Sequence, residues 1–253
     1  MPNTQPYISF VVPVYNEEGN VAQLHQEIVA VAKKLGKPFE IIFVDDGSHD
    51  NTPEILKKLK PITILSLRKN SGQSAALDAG FKAAQGEIIV SLDGDGQNDP
   101  ADVPLLIEKL NDGFDVACGW RHQRQDNASR KFVSLGARVL RFFLVSDGIH
   151  DAGCTLRAYK KEALDGLDLY GEMHRMIPAL VRWQGFKVGE VKVNHRPRTA
   201  GVSKYGYKRA IKGFLDMLDV WFWRKYEGRP LHLFGGLGLL LIAGSTLFGI
   251  GTL

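Results

Sequence analysis

The chain has 253 residues, 44% of them hydrophobic and 24% charged, which excludes a disordered chain, a collagen-like repeat and a small disulfide scaffold. Its two cysteines, Cys118 and Cys154, are too few for a disulfide framework and fit a reducing compartment. The net charge of +4 conceals a division: residues 1–119 carry −7 and residues 120–253 carry +11. An acidic first part suits metal or neutral-ligand chemistry, and a basic second part suits phosphates or an anionic membrane surface.

Met1 to Pro6 is polar and the apolar run after it is short, so no signal peptide is expected. Tyr7–Tyr15 reads as a buried strand. Val21, Leu24, Ile28, Val31 and Leu35 then share one face of a helix. Phe39–Val44 is a second strand, ending in Asp45-Asp46-Gly47-Ser48, and Thr52-Pro53 opens a short helix. Ile62–Leu67 is a third strand, followed by a small-residue helix over about Gln73–Ala84. Glu87–Leu92 is a fourth strand, ending in DGDGQNDP. A helix runs through Leu110, and Phe114–Gly119 is a further strand. This alternation predicts a parallel, doubly wound α/β sheet. Ligands of such sheets bind beyond the carboxyl ends of the strands, where Glu17, Asp45, Asp46, Asp93 and Asp95 fall.

After Trp120 the pattern changes. Residues 129–145 place Phe132, Leu135, Val139, Phe142 and Phe143 at helical spacing, with Arg130, Lys131, Arg138 and Arg141 between them. Residues 205–226 place Ile211, Phe214, Leu215, Leu218 and Phe222 on one face. Basic amphipathic helices can lie in a membrane interface. Trp221, Trp223, Arg224, Lys225 and Arg229 form an aromatic and basic collar. Beyond it, Leu231–Leu253 holds 23 residues without Asp, Glu, Lys or Arg. As a helix this run spans roughly 35 Å, against a hydrocarbon core of about 30 Å. A membrane span that is cut short is expected here, with a buried core helix as the alternative.

The sequence has no GxGxxG, GxxxxGK[ST], HExxH or GxSxG. The run from Asp93 to Asp99 fails as an EF-hand, because Asn98 stands where that loop needs glycine and Pro104 where it needs glutamate. Asp93-Gly94-Asp95 remains: two carboxylates one residue apart in a flexible turn can share a hard cation, with Gln97 as a neutral oxygen ligand.

VVPVYNEE, VDDGS at 44–48, the stretch 70–80 and SLDGDGQNDP together resemble the family 2 glycosyltransferases of the GT-A fold. DAGCTLRAYKKE at 151–162 and Arg198-x-x-Gly201-x-Ser203-Lys204 resemble the branch acting on polyprenyl phosphates, which includes dolichyl-phosphate mannose synthase and bacterial undecaprenyl-phosphate glucosyltransferases. The resemblance implies that Pro13, Tyr15, Glu17 and Asp46 meet the nucleotide, joined by Asp93. It implies that Asp93, Asp95 and Gln97 hold Mg²⁺ or Mn²⁺ at the donor diphosphate. Arg121 and Asp151 join Asp93 and Asp95 as catalytic candidates. Arg130, Arg198, Ser203 and Lys204 match the region of the acceptor phosphate. Family members often carry a lysine where this chain has Gln73, so no contact is assigned there.

Members that glycosylate hydroxyls often carry a Glu-Asp pair, with the Asp as general base. The comparable place here reads Gly171-Glu172-Met173-His174, and Met173 cannot take a proton. A phosphate monoester is already charged at pH 7 and needs no base, so the departure favours a phosphate acceptor. Glu172 and His174 remain as substitute bases. The expected organisation is a glycosyltransferase domain over 1–204, an interfacial helix and collar over 205–229, and a membrane segment over 231–253. The expected activity is inverting transfer from a nucleotide diphosphate sugar, UDP-glucose first and GDP-mannose second, to a polyprenyl phosphate. A hydroxyl acceptor is the alternative. The catalytic domain is expected to face the cytoplasm, as at a bacterial inner membrane, because the basic collar precedes the span. No nucleic-acid partner is expected, and a homo-oligomer is compatible with the sequence.

Overall fold

The computed structural model describes residues 5–121 and 148–197, residues 215, 218, 219, 221, 222, 225 and 226, and residues 229–251. Among these described residues seven strands form one sheet: β1 (Ile8–Val14), β2 (Phe39–Asp45), β3 (Thr63–Ser66), β4 (Ile88–Ser91), β5 (Val116–Arg121), β6 (Arg157–Lys160) and β7 (Val188–Val193). Their order is β3-β2-β1-β4-β6-β5-β7. β1 pairs in parallel with β2 and β4, β2 with β3, and β5 with β7. β6 runs antiparallel between β4 and β5. The sheet is therefore mostly parallel, as expected, with one reversed strand that the periodicity did not announce. Arg157–Lys160 is only four residues, RAYK, too short and too basic to read as a central strand.

Helices cover both faces. α1 (Val21–Leu35), α2 (Thr52–Leu56) and α4 (Val103–Asn111) pack on one side, against Phe10, Val12, Ile41, Phe43 and Val90. α3 (Gln73–Ala83) and α5 (Ile177–Trp183) pack on the other, against Val11, Ile42, Val44, Ile89 and Val116. Consecutive residues of β1 thus feed opposite cores, which is why its sequence is apolar on both faces apart from Ser9. α1 buries Val21, Leu24, His25, Ile28 and Ala32, one stripe at helical spacing. It stops at Gly36, whose left-handed φ of 65° lets its N–H bond the Lys33 carbonyl.

From β1 the chain winds outward through β2 and β3, then returns on the opposite side of β1 to form β4. The strand order reverses between β1 and β4. A cleft opens at such a reversal, beyond the carboxyl ends of the strands.

The apolar segment is a 22-residue helix, α6 (Pro230–Gly251). None of it is buried in the protein, and Leu231, Leu241 and Phe248 are each more than 70% exposed. The alternative of a buried core helix is therefore not realised. The expected helix over 129–145 lies outside the described residues. Of the expected 205–226 helix only scattered residues are described, and these are helical. Within them Lys225 lies over the Trp221 ring, 5.7 Å from its centroid, and Phe222 meets Phe234 of α6 at 5.7 Å.

Candidate active site

The cleft is assembled from turns that follow β1, β2 and β4. After β1, Asn16 adopts a positive φ of 54°, a conformation that Asn tolerates better than most residues. Its N–H donates to Ser48 Oγ, and its side-chain oxygen accepts from His49 N–H. Tyr15 meets the His49 ring edge-on at 6.4 Å, and Pro13 is buried within β1. Glu17 accepts from Asn20 Nδ2 at 2.7 Å, while its own N–H donates to Thr52 Oγ1. Pro13, Tyr15, Glu17 and the 45–49 turn thus form one wall.

Asp45 and Asp46 are both buried but act differently. Asp45 accepts from Ser48 N–H at 3.0 Å and closes its own turn. Asp46 reaches the loop that follows β3, its two oxygens accepting from Ser71 N–H at 2.6 Å and Gly72 N–H at 2.9 Å. The 69–72 loop lies directly on Gly47: a Cβ there would come within 2.8 Å of the Lys69 carbonyl carbon, and the Gly47 φ is +71°. Only glycine fits that crossing.

The turn after β4 carries the carboxylate pair. Gly94 sits against β1, where a Cβ would meet Val14 Cγ1 at 2.6 Å and Pro13 O at 2.9 Å. Asp93 N–H donates to Asn98 Oδ1, and Asp95 Oδ1 accepts from Gln97 N–H. Burial pushes the Asp93 carboxyl up to about 6 and the adjacent Asp95 carboxylate adds to the rise; Thr155, Arg121 and Arg157 oppose it. A carboxyl raised by burial and by a neighbouring carboxylate is one that a shared cation would relieve. Among the described residues no group of three or more His, Cys, Asp or Glu is arranged to hold a metal. The candidate donors for a cation are the two carboxylates and the Gln97 amide. That fits Mg²⁺ or Mn²⁺, which is commonly bound through one or two carboxylates together with substrate phosphates.

The opposite wall pairs basic side chains with carboxylates. Arg121 and Asp151 form a two-pronged pair, Nε to Oδ2 at 2.7 Å and Nη2 to Oδ1 at 2.8 Å. Glu190 accepts from the backbone N–H of His150 and Asp151, and it pairs with His150 Nδ1 at 2.7 Å. His150 stacks on Trp120 at 4.5 Å. Beneath this wall Arg157, only 1% exposed, donates to the carbonyls of His174 at 2.8 Å and Ala152 at 2.7 Å.

Of the expected site residues, Pro13, Tyr15, Glu17, Asp46, Asp93, Asp95, Gln97, Arg121 and Asp151 line or adjoin this cleft. Arg130, Arg198, Ser203 and Lys204 lie outside the described residues. The segment that leads to Arg198 is nevertheless fixed to the carboxylate turn. Arg196 N–H donates to Gln97 O at 3.0 Å, and His195 bridges Asn98. The substitute bases are both engaged within the protein. His174 is 4% exposed with Nδ1 on Ser74 Oγ at 2.9 Å, and Glu172 pairs with Arg175 at 3.3 Å.

Three polar residues of the site carried no sequence signal. Gln73 donates from Nε2 to Asp93 Oδ1 at 2.6 Å. Ser74 holds His174, and Arg157 links the 151–153 and 171–176 turns. These contacts span 20, 100 and 17 positions, so no local pattern could reveal them; for Gln73 the only hint was its departure from the family lysine.

Residues 9–167 match the family profile of glycosyl transferase family 2. The chain is 39% identical over 241 residues to dodecaprenyl-phosphate galacturonate synthase of Rhizobium johnstonii, covering 92% of this chain and 71% of that protein. It is 35% identical over 251 residues to undecaprenyl-phosphate 4-deoxy-4-formamido-L-arabinose transferase of Pectobacterium atrosepticum, covering 95% and 77%. Among solved structures, glucosyl-3-phosphoglycerate synthase of Mycobacterium tuberculosis with Mn²⁺ and UDP-glucose superposes with a TM-score of 0.68 at 20% identity, over 85% of this chain and 78% of that one. A strand-end cleft at the reversal of a mostly parallel sheet, a matched profile over most of the catalytic fold and relatives of this identity lead to one conclusion: the chain belongs to glycosyl transferase family 2 and is a glycosyltransferase of the GT-A fold.

Proposed function

We propose that the chain transfers a sugar from a nucleoside diphosphate sugar to a polyprenyl phosphate at a membrane surface, with inversion at the anomeric carbon. The observation that carries this is the facing of two walls: the Asp93–Asp95 turn on one side of the cleft, and the Arg121–Asp151 pair on the other. The relatives are named for the same acceptor class, dodecaprenyl or undecaprenyl phosphate.

Pro13, Tyr15, Glu17 and Asp46 would form the nucleotide wall. Asp93, Asp95 and Gln97 would hold Mg²⁺ or Mn²⁺, a reading supported by GT-A neighbours solved with those ions and UDP. When bound, such a cation offsets charge on the leaving diphosphate. Arg121, oriented by Asp151, faces that diphosphate. An oxygen of the acceptor phosphate attacks the anomeric carbon from the opposite side. The bond to the diphosphate oxygen breaks, and its electron pair leaves with the nucleoside diphosphate. The nucleophile is already an anion near pH 7, so no side chain need remove a proton; the internal bonding of His174 and Glu172 accords with this. Arg130, Arg198, Ser203 and Lys204 would neutralise the acceptor phosphate, since two anions approach closely only with cations between them.

We assign residues 1–204 to catalysis, 205–229 to the interface and 231–253 to the membrane, with the catalytic domain on the cytoplasmic side of a bacterial inner membrane. The exposed α6 and the basic collar before it support this topology. UDP-glucose stands as one donor, beside nucleotide-activated galacturonate and 4-deoxy-4-formamido-L-arabinose, the sugars in the relatives' names; GDP-mannose is the alternative.

The test is incubation of the full chain with polyprenyl phosphate, Mg²⁺ or Mn²⁺ and each of these nucleotide sugars, followed by organic extraction. A sugar label in the organic phase, released by mild acid, is the expected product. Label transferred only to water-soluble hydroxyl acceptors would replace this reading with the hydroxyl one.

A further inference from the structure

Gln73 is the first residue of α3, and its side chain crosses the cleft. Its Nε2 donates to Asp93 Oδ1 at 2.6 Å, a length at the short end for an amide on a carboxylate and indicative of a charge-assisted bond. The backbone on either side of it is anchored. Asp46 holds the N–H groups of Ser71 and Gly72 just before it, and Ser74 just after it is bonded to the ring and the N–H of His174. Gly72 turns the chain into the helix with a φ of +92°. The amide thus projects from a base fixed on both sides, and it meets the carboxylate at one defined oxygen.

We propose that Gln73 is a positioning residue for the cation: it orients the Asp93 carboxylate toward Asp95 without neutralising it. This rests on the metal reading above. The chemistry favours an amide over a cation in this position. A lysine ammonium of similar reach would bring a full positive charge to Asp93, and that charge would repel a divalent ion bound to the same carboxylate. An amide donates the same hydrogen bond and leaves the negative charge in place. Partners that orient metal-ligating carboxylates typically change metal affinity by about 10–100-fold when lost. Gln73 therefore makes the carboxylate turn a stronger site for a divalent ion than a lysine would allow.

The test measures Mn²⁺ binding directly, from the electron paramagnetic resonance of free Mn²⁺ titrated against the full detergent-solubilised chain with saturating UDP. Gln73→Leu should weaken Mn²⁺ by roughly 10–100-fold, and Gln73→Lys by at least as much. UDP binding without metal should change less than twofold in both. Gln73 is only partly buried, so thermal melting should stay near wild type; should the leucine variant fold poorly, the lysine variant keeps the side-chain length and gives the same reading. Turnover at saturating Mn²⁺ should recover most of the wild-type rate in Gln73→Leu. Mn²⁺ affinity within twofold of wild type in both variants overturns the proposal while leaving the metal reading intact. A wild-type chain that binds no Mn²⁺ with UDP present, or binds it unchanged after Asp95→Asn, overturns the metal reading and this inference with it.

Discussion

The two walls of the cleft hold their carboxylates by different means. On the β1–β3 side the partners are chiefly backbone N–H groups: Ser48 for Asp45, Ser71 and Gly72 for Asp46, Glu18 and Thr52 for Asp50. On the β5–β7 side a charged or chargeable side chain joins in, Arg121 on Asp151 and His150 on Glu190, while Arg196, beyond β7, reaches over to Glu27 of α1 and Asp99 after β4. A backbone donor fixes a carboxylate without cancelling its charge. A guanidinium fixes it and cancels it. The first wall therefore stays net negative and attracts a cation, while the second is locally balanced.

The sharpest way to break this comparison is at the carboxylate turn. Asp95→Asn should lower turnover by roughly 10²–10³, the scale of losing one electrostatic stabiliser of the transition state, and excess chelator should do the same to the wild type. Thermal stability should not fall, because the change removes a like-charge opposition. A fully active Asp95→Asn enzyme in excess chelator would show that the first wall's charge serves something other than a metal.

On the second wall, Arg121→Met strands the Asp151 carboxylate. Breaking a buried pair from one side costs about 3–5 kcal/mol. The low end is expected here, since Arg121 and Asp151 side chains keep 13% and 11% exposure. The double change Arg121→Met with Asp151→Leu should regain much of that stability in urea denaturation, because no unpaired charge remains. A single-variant cost below about 1 kcal/mol would place this pair among ordinary surface ion pairs.

Asp46→Asn probes the first wall in the same way and should cost less. The amide keeps the shape but loses the charge that strengthens two N–H bonds, and hydrogen bonds to charged groups are worth about 1.5–3 kcal/mol. About half of that is expected to be lost, since an amide oxygen can still accept from one N–H. Calorimetric titration with UDP should show affinity falling by about tenfold as the 69–72 loop loosens. Unchanged affinity together with unchanged stability would mean that Gly47 packing alone holds this loop.

Which parts of this were legible beforehand follows from range. β1 through β4, α1, α3 and α4 were readable because each buries a face whose period lies within one short segment. The strand-end acids followed from those elements, and Asp45, which closes its own turn, proved distinct from Asp46, which holds the 69–72 loop. β6 and β7 were not readable. RAYK becomes a central strand only because β4 and β5 supply its partners on both sides, and its Arg157 is tolerated in the core only because two carbonyls from distant turns receive it. Gln73 was visible merely as a residue of the wrong type; its purpose lies 20 positions away at Asp93. Periodicity records which face is buried, and it carries no trace of which polar groups meet across a cleft.

The smallest expected effect is also the cleanest discriminator between the two kinds of wall. Arg196 joins Glu27 of α1 to Asp99 after the carboxylate turn, at 2.7 Å each, but its side chain is 38% exposed. Exposed pairs of this sort contribute up to about 1 kcal/mol, and salt screens them. Arg196→Met should therefore lower stability by less than about 1 kcal/mol per pair lost in dilute buffer. Raising the ionic strength shortens the screening length from about 8 Å at physiological salt to about 3 Å at 1 M, so the gap between variant and wild type should shrink. The deficit of Asp46→Asn should persist under the same conditions, because its partners are neutral N–H groups and its own carboxylate is buried. If both deficits respond equally to salt, the distinction between a backbone-held and a cation-held wall fails. If only Arg196 responds, the strap from Asn194 to Arg196 is an electrostatic fastening, and the turn that carries Asp93 and Asp95 is held more firmly to α3 than to the segment leading toward Arg198.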